Sequence, residues 1–158
     1  MAWPADNAVV LASMCVHDEL RGRRSNQVVA RWVAQVRDRL DIQGMIPHAW
    51  DPATDTQGEH TRGYPQALIN AFLPLMDSTL AQEHYQLFRT PFFMERSGVP
   101  LVRDHSKGIN GWGDVDTGPV ILGAGCVSSI VGATACRLNG DVFHAQDSRL
   151  LWKASEWS

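Results

Sequence analysis

Several signatures are missing from these 158 residues, and each absence removes a class of function. Only three cysteines occur, Cys15, Cys126 and Cys136, and they show no metal or redox spacing. They fall in apolar stretches and read as reduced core residues, which suits a cytoplasmic location. There is no His-Glu-x-x-His and no other convincing ligand quartet, so no bound metal is expected. Gly108-Ile109-Asn110-Gly111-Trp112-Gly113 is rich in glycine but follows no strand, and phosphate cradles, dinucleotide fingerprints and serine nucleophile elbows are missing. No cofactor is implied. An excess of positive charge is also lacking. A net charge of −3 and a pI near 6.0 argue against nucleic acid or an acidic membrane as the main partner. Arg21, Arg23 and Arg24 follow a helix end, where they match the negative end of its dipole. No charged-then-apolar leader opens the chain. The run from Gly118 to Cys136 carries no charge, but Gly123, Gly125, Ser128, Ser129, Gly132 and Thr134 dilute it. We expect a buried helix close-packed through small residues there, not a membrane span.

What is present is helical periodicity. Three prolines, Pro4, Pro65 and Pro119, each precede an apolar stretch and are crowded by polar residues. Proline suits the first helical position, because its missing N–H would be unpaired there anyway. The pattern predicts apolar helices over about Pro4–Leu20, Pro65–Met76 and Pro119–Leu138. A second helix carries the stripe Val28, Val29, Trp32, Val33, Val36 and Leu40, with Arg31, Gln35, Arg37 and Asp38 facing away. Amphipathic helices over about Ser78–Arg89 and Asp141–Glu156 complete the set. Asp77 or Ser78 can cap the first of these, while Asn139-Gly140-Asp141 reads as a stop followed by a new cap. No strong alternation argues for a central sheet. The expected fold is one all-α domain over residues 1–158, with three antiparallel helical hairpins in an inner and an outer layer.

The connections are unequal. Inner-to-outer turns are short, whereas the outer-to-inner ones, about 41–64 and 97–118, are long enough to be functional. In an up-down array they share one end with the inner helix starts, which is the predicted active face. Trp3, Trp50 and Trp112 map to it, with His48, Asp51, Glu59, His60, Arg62, Tyr64, Arg103, Asp104, His105, Lys107, Asp114 and Asp116. Exposed aromatic surface of this kind ordinarily meets a core or a ligand.

With Trp3-Pro4-Ala5-Asp6-Asn7 at one helix start and Gly113-Asp114-Val115-Asp116-Thr117-Gly118-Pro119 at another, the chain resembles the (α/α) toroid enzymes. Its second motif and the small-residue helix after it are most similar to the linalool dehydratase/isomerase-like branch. The resemblance implies inner and outer helices ringed around a funnel-shaped site. A complete (α/α)6 ring takes twice the hairpins read here, so the resemblance implies half a toroid. Such a half is expected to be the C-terminal part of a larger enzyme, to pair with a second copy as a homodimer, or to remain an open half-ring whose exposed inner face meets a partner chain. The three cysteines match no pattern of that branch, so its reaction is not carried over.

Asp114 and Asp116 form a close pair before a helix start, where the dipole favours ionised carboxylates and their mutual repulsion opposes this. They can act as general base and orienting group, or as a cap and a loop acceptor. Asp6, in the first helical turn, is either a third acid–base group or a cap. Tyr64 and His48 are assisting proton-transfer candidates, with packing as the plainer role for each. Trp3, Trp50 and Trp112 are expected to line the site, and Arg62, Gln66, Arg103, His105 and Lys107 to contact substrate. The expected function is acid–base catalysis on a small carbohydrate-like or terpenoid-alcohol substrate, as a hydrolase or a lyase. The alternative is a non-catalytic helical module that binds a partner protein through its exposed inner face.

Overall fold

The computed structural model describes residues 1–23, 27–58, 60–109, 111–113 and 117–141. Helix α1 runs over Pro4–Leu20, with Pro4 at its first position as its sequence predicts, and buries Pro4, Ala5, Ala8, Leu11 and Ala12. Helix α2, Gln27–Arg37, buries Val29, Val33 and Val36, spaced to fall on one helical face. Helix α3, Gly63–Phe72, is buried over most of its circumference and continues as a 3-10 turn, Leu73–Leu75. The Asp77 carboxylate caps helix α4, Ser78–Phe92, by accepting the Leu80 N–H at 2.8 Å. Helix α5, Cys126–Leu138, ends at Asn139, and Gly140 takes a left-handed φ of 73°.

Helix α3 lies between α1 and α5 and joins two apolar clusters. On one side Ala5, Ala8 and Leu11 of α1 meet Val29, Val33 and Val36 of α2, with Ile69, Leu73 and Leu80. On the other, Ala67 and Ala71 meet Tyr85, Phe88 and Phe92 of α4, with Ala135 and Cys136 of α5. Each buried Phe contributes roughly 1.5–3 kcal/mol through burial alone. The small residues of α5, Ser128, Ser129, Gly132 and Ala135, are its buried ones, together with Cys136. A Cβ at Gly132 would stand 2.5 Å from Val102 Cγ2, so glycine lets the helix approach that close.

The all-α expectation fails. Among the described residues there are three antiparallel two-stranded ribbons, and the fold is mixed α and β. Trp50–Asp51 (β1) pairs with Thr56–Gln57 (β2), Phe93–Arg96 (β3) with Val99–Val102 (β4), and Val120–Ile121 (β5) with Ala124–Gly125 (β6). The turns explain the pairing. Ser97-Gly98 and Leu122-Gly123 both take positive φ at two successive residues, the geometry that lets two-residue loops follow strand twist. Pro119 consequently precedes β5 and opens no helix; α5 begins seven residues later, at Cys126. The set of three helical hairpins, and with it the half-toroid, is not what the chain forms. The sixth expected helix, about Asp141–Glu156, lies outside the described residues beyond Asp141. None of the described helices is long and apolar enough to cross a membrane.

The first long connection is ordered by one aspartate. Asp41 Oδ1 accepts the N–H groups of Gln43 and Met45, and its Oδ2 accepts the Thr61 hydroxyl at 2.8 Å. One side chain therefore ties both ends of that connection together.

Candidate functional site

Three chain segments meet at Asp104. Arg62 pairs with His105 through an isolated backbone bridge, and Arg103 with Ala124 through another. The Gly63 N–H donates to the Asp104 carbonyl at 2.8 Å. A Cβ at Gly63 would overlap the Arg103 carbonyl oxygen, so the start of α3 can lie this near only as glycine. The start of α5 comes to the same point, where the Ser128 hydroxyl donates to Asp104 Oδ1 at 3.2 Å.

The Asp104 carboxylate is fully buried, and its Oδ2 stands 2.5 Å from Arg62 Nη2. That same guanidinium nitrogen donates to the Thr117 hydroxyl at 3.2 Å. Burying an ion pair is costly unless further hydrogen bonds satisfy it, and Ser128 and Thr117 supply them. His105 Nε2 lies 3.6 Å from Asp104 Oδ2, and its side chain keeps 19% of its exposure. The cluster thus runs from a buried arginine, through a buried carboxylate, to an imidazole that still reaches solvent.

The structure brings Arg62 and His105 together, as two residues expected at one face. Asp104, Ser128 and Thr117 hold them there, and the sequence marks none of the three as a substrate contact or proton carrier. Ser128 carries the available signal, a hydroxyl early in an otherwise apolar helix that needs a partner once buried. Arg103 is half-buried beside this point, and its Nε has no hydrogen-bond partner among the described residues.

A second group forms at the start of α1. Backbone hydrogen bonds join Ala2 to Trp50, and the Trp3 ring packs edge-on against His48 with centroids 5.1 Å apart. Arg39 lies over the Trp50 ring, 5.0 Å from its centroid. Trp3 is partly open, and Asp6 is exposed on the first turn behind it. Tyr64 is half-buried. Trp112 is 95% exposed and Lys107 is exposed, and neither is enclosed by a pocket among the described residues. Asp114 and Asp116 lie outside the described residues.

Gln66 is placed differently from a substrate contact. It is fully buried and donates to the Ile46 carbonyl at 2.6 Å. It belongs to an interior polar chain with Asn70 and His84 that fastens the first long connection to α3 and α4. Burial holds His84 well below its ordinary value, at about 4, so it is neutral inside.

The cysteines divide three ways: Cys136 is buried, Cys15 half-buried and Cys126 exposed, and all are free thiols. The expectation of three core thiols holds for Cys136 alone. Burial pushes the Cys136 thiol up to about 11. Beside it, the Tyr85 hydroxyl, its own pKa driven far up by burial, donates to Asp141 Oδ2 at 3.0 Å. No group of three or more His, Cys, Asp or Glu side chains among the described residues could hold a metal ion. A groove of about 320 Å³ lies between α1 and α2, lined by Asn7, Val10, Leu11, Val28, Arg31, Trp32 and Gln35, and includes none of the Asp104 cluster. Comparison with protein-family models, curated proteins and solved structures finds no match.

Proposed function

We propose that the chain works in acid–base catalysis on a small hydroxyl-bearing molecule, at the end of the fold where Arg62, Asp104 and His105 meet. The observation that carries this reading is the partly exposed imidazole held against a buried, arginine-paired carboxylate. Histidine changes charge near neutral pH, and a neighbouring carboxylate stabilises the imidazolium that forms during proton transfer. The exposed ring of Trp112, whose backbone carbonyl meets His105, suits a carbohydrate-like or terpenoid-alcohol substrate, since both present faces that stack on aromatic rings. Hydrolysis of a glycosidic bond and hydration or dehydration of an alcohol both need such groups, which makes hydrolase and lyase the two classes to assay. The three free thiols suit a reducing compartment such as the cytoplasm.

The test is a thermal-shift screen of glycans and terpenoid alcohols, followed by turnover assays on the hits. A ligand that binds the native state raises the melting temperature by mass action. Turnover by the wild type and its loss in His105→Gln, with the fold retained, are the expected results. Undiminished turnover in His105→Gln would remove the imidazole from the chemistry.

A second reading has its own observation. Val10 and Met14, four residues apart on α1, are exposed beside the groove between α1 and α2. An apolar face of that kind suits a protein partner or a second copy of the chain. Light scattering distinguishes a homodimer from a monomer, and a Val10→Glu variant that stays folded but loses the dimer would support this reading.

A further inference from the structure

The two acceptors around one ring nitrogen define the tautomer of His105. Its Nε2 stands 3.3 Å from the carbonyl oxygen of Trp112 and 3.6 Å from Asp104 Oδ2. A carbonyl oxygen can only accept, and so can an ionised carboxylate. The hydrogen bond to Trp112 therefore requires a proton on Nε2, and the carboxylate behind it favours the same placement. Asp104 is fixed behind the ring by its own partners: Arg62 sits on its Oδ2 and the Ser128 hydroxyl donates to its Oδ1. Gly111 lies against the ring at its Nε2 edge. A Cβ there would overlap the imidazole, so the backbone of 111–112 can lie against the ring only because residue 111 is glycine.

We infer that His105 is the general base of the site and acts through Nδ1, with Asp104 and the Trp112 carbonyl as the groups that position it. A proton on Nε2 leaves the ring's lone pair on Nδ1. In the transfer, a substrate O–H bond breaks, its electron pair stays on oxygen, and a new N–H bond forms on Nδ1. The imidazolium then carries a proton on each nitrogen, and its charge faces the Asp104 carboxylate. Asp104 acts only as a positioning group, fully buried and paired with Arg62. The ligand class follows from the chemistry: a molecule whose reacting hydroxyl approaches Nδ1, with neither metal nor oxidant required for the step.

This inference rests on the acid–base reading above, but its test does not need a substrate. In protein labelled with 15N histidine, long-range proton–nitrogen correlation in mildly alkaline buffer reports which ring nitrogen carries the proton. His105→Gln identifies the signal. The expected result is an Nε2–H tautomer for His105, with its ring-nitrogen signals shifted in Gly111→Ala, which displaces the ring from the Trp112 carbonyl. A proton on Nδ1 in the wild type, or ring signals unchanged in Gly111→Ala, would overturn the assignment. Failure to find any substrate would count against the acid–base reading and leave the tautomer result standing. Where a substrate is found, Gly111→Ala is expected to lower kcat, since it displaces the base from its working position.

Discussion

The ring of His84 accepts the Ile46 N–H on Nε2 at 3.1 Å and meets Asn70 Oδ1 from Nδ1 at 3.1 Å, with no surface exposure to speak of. Only the neutral ring fits both bonds, because a protonated Nε2 has no lone pair to offer Ile46. The side chain thus holds a loop onto two helices in one protonation state.

This makes stability depend on pH in a defined window. Burial lowers the folded pKa to about 4 from an ordinary 6.5. Between those values the unfolded chain binds a proton that the native state refuses. The stability is therefore present above pH 6.5 and is lost as the pH falls towards 4, by an amount on the order of 3 kcal/mol. Melting temperatures measured across that window should drop, and His84→Gln should flatten the drop while lowering stability at neutral pH. An unchanged slope in the variant would place the effect on another group.

The Arg62–Asp104 pair makes a prediction of opposite kind. Removing Arg62 alone, as Arg62→Ala, strands a buried carboxylate and should cost about 3–5 kcal/mol in urea unfolding. The double variant Arg62→Met with Asp104→Leu should recover most of that loss, because the uncompensated charge is gone. If both variants unfold alike, the geometry of the pair matters to the fold beyond its charge.

Thiol chemistry separates the cysteines. Cys126 is exposed, whereas Cys136 is buried and kept as a thiol at neutral pH. A maleimide should therefore label Cys126 quickly in the native protein and Cys136 only on unfolding. Cys15, half-buried and with its pKa raised by burial and by Asp18, should react at an intermediate rate. Peptide mass analysis after timed quenching reads all three, and fast native labelling of Cys136 would contradict its packing.

Gly132 and Gly63 carry close approaches of two different kinds. Gly132→Ala should cost about 1–3 kcal/mol, as Val102 must move to admit the methyl group. Gly63→Ala should cost more, because the obstacle is the rigid carbonyl of Arg103 and not a side chain. Chemical denaturation compares the two, and the reverse order would mean that the start of α3 can shift as a unit.

Long periodic elements are legible in the order of the residues. The Val29, Val33 and Val36 face of α2, the Asp77 cap and the Asn139-Gly140 stop follow from side-chain spacing and backbone preference over neighbouring positions, whereas Val28, read into the same stripe, is exposed and Leu40 lies past the helix end. The ribbons are not legible, because strands of two to four residues are too short to show alternation. Paired positive φ at Ser97-Gly98 and Leu122-Gly123 marks two of the three, and the third, β1–β2, shows only in its pairing. Pro119 misleads for a related reason: proline at a helix start and proline before a short strand look alike locally.

The site divides along the same line. Arg62 and His105 stand out by residue type, as a cation and a proton carrier in connections of unusual length. Asp104 becomes the partner of Arg62 only through contacts between segments 42 residues apart in the chain. Residue order suffices to mark the long helices, the faces that turn inward and the side chains able to carry charge, since those depend on neighbours within a few positions. Packing of remote segments sets which carboxylate is buried, which nitrogen of His105 holds its proton and which thiol meets solvent. Those properties depend on distance and dielectric between parts of the chain far apart in sequence, and no local pattern encodes them.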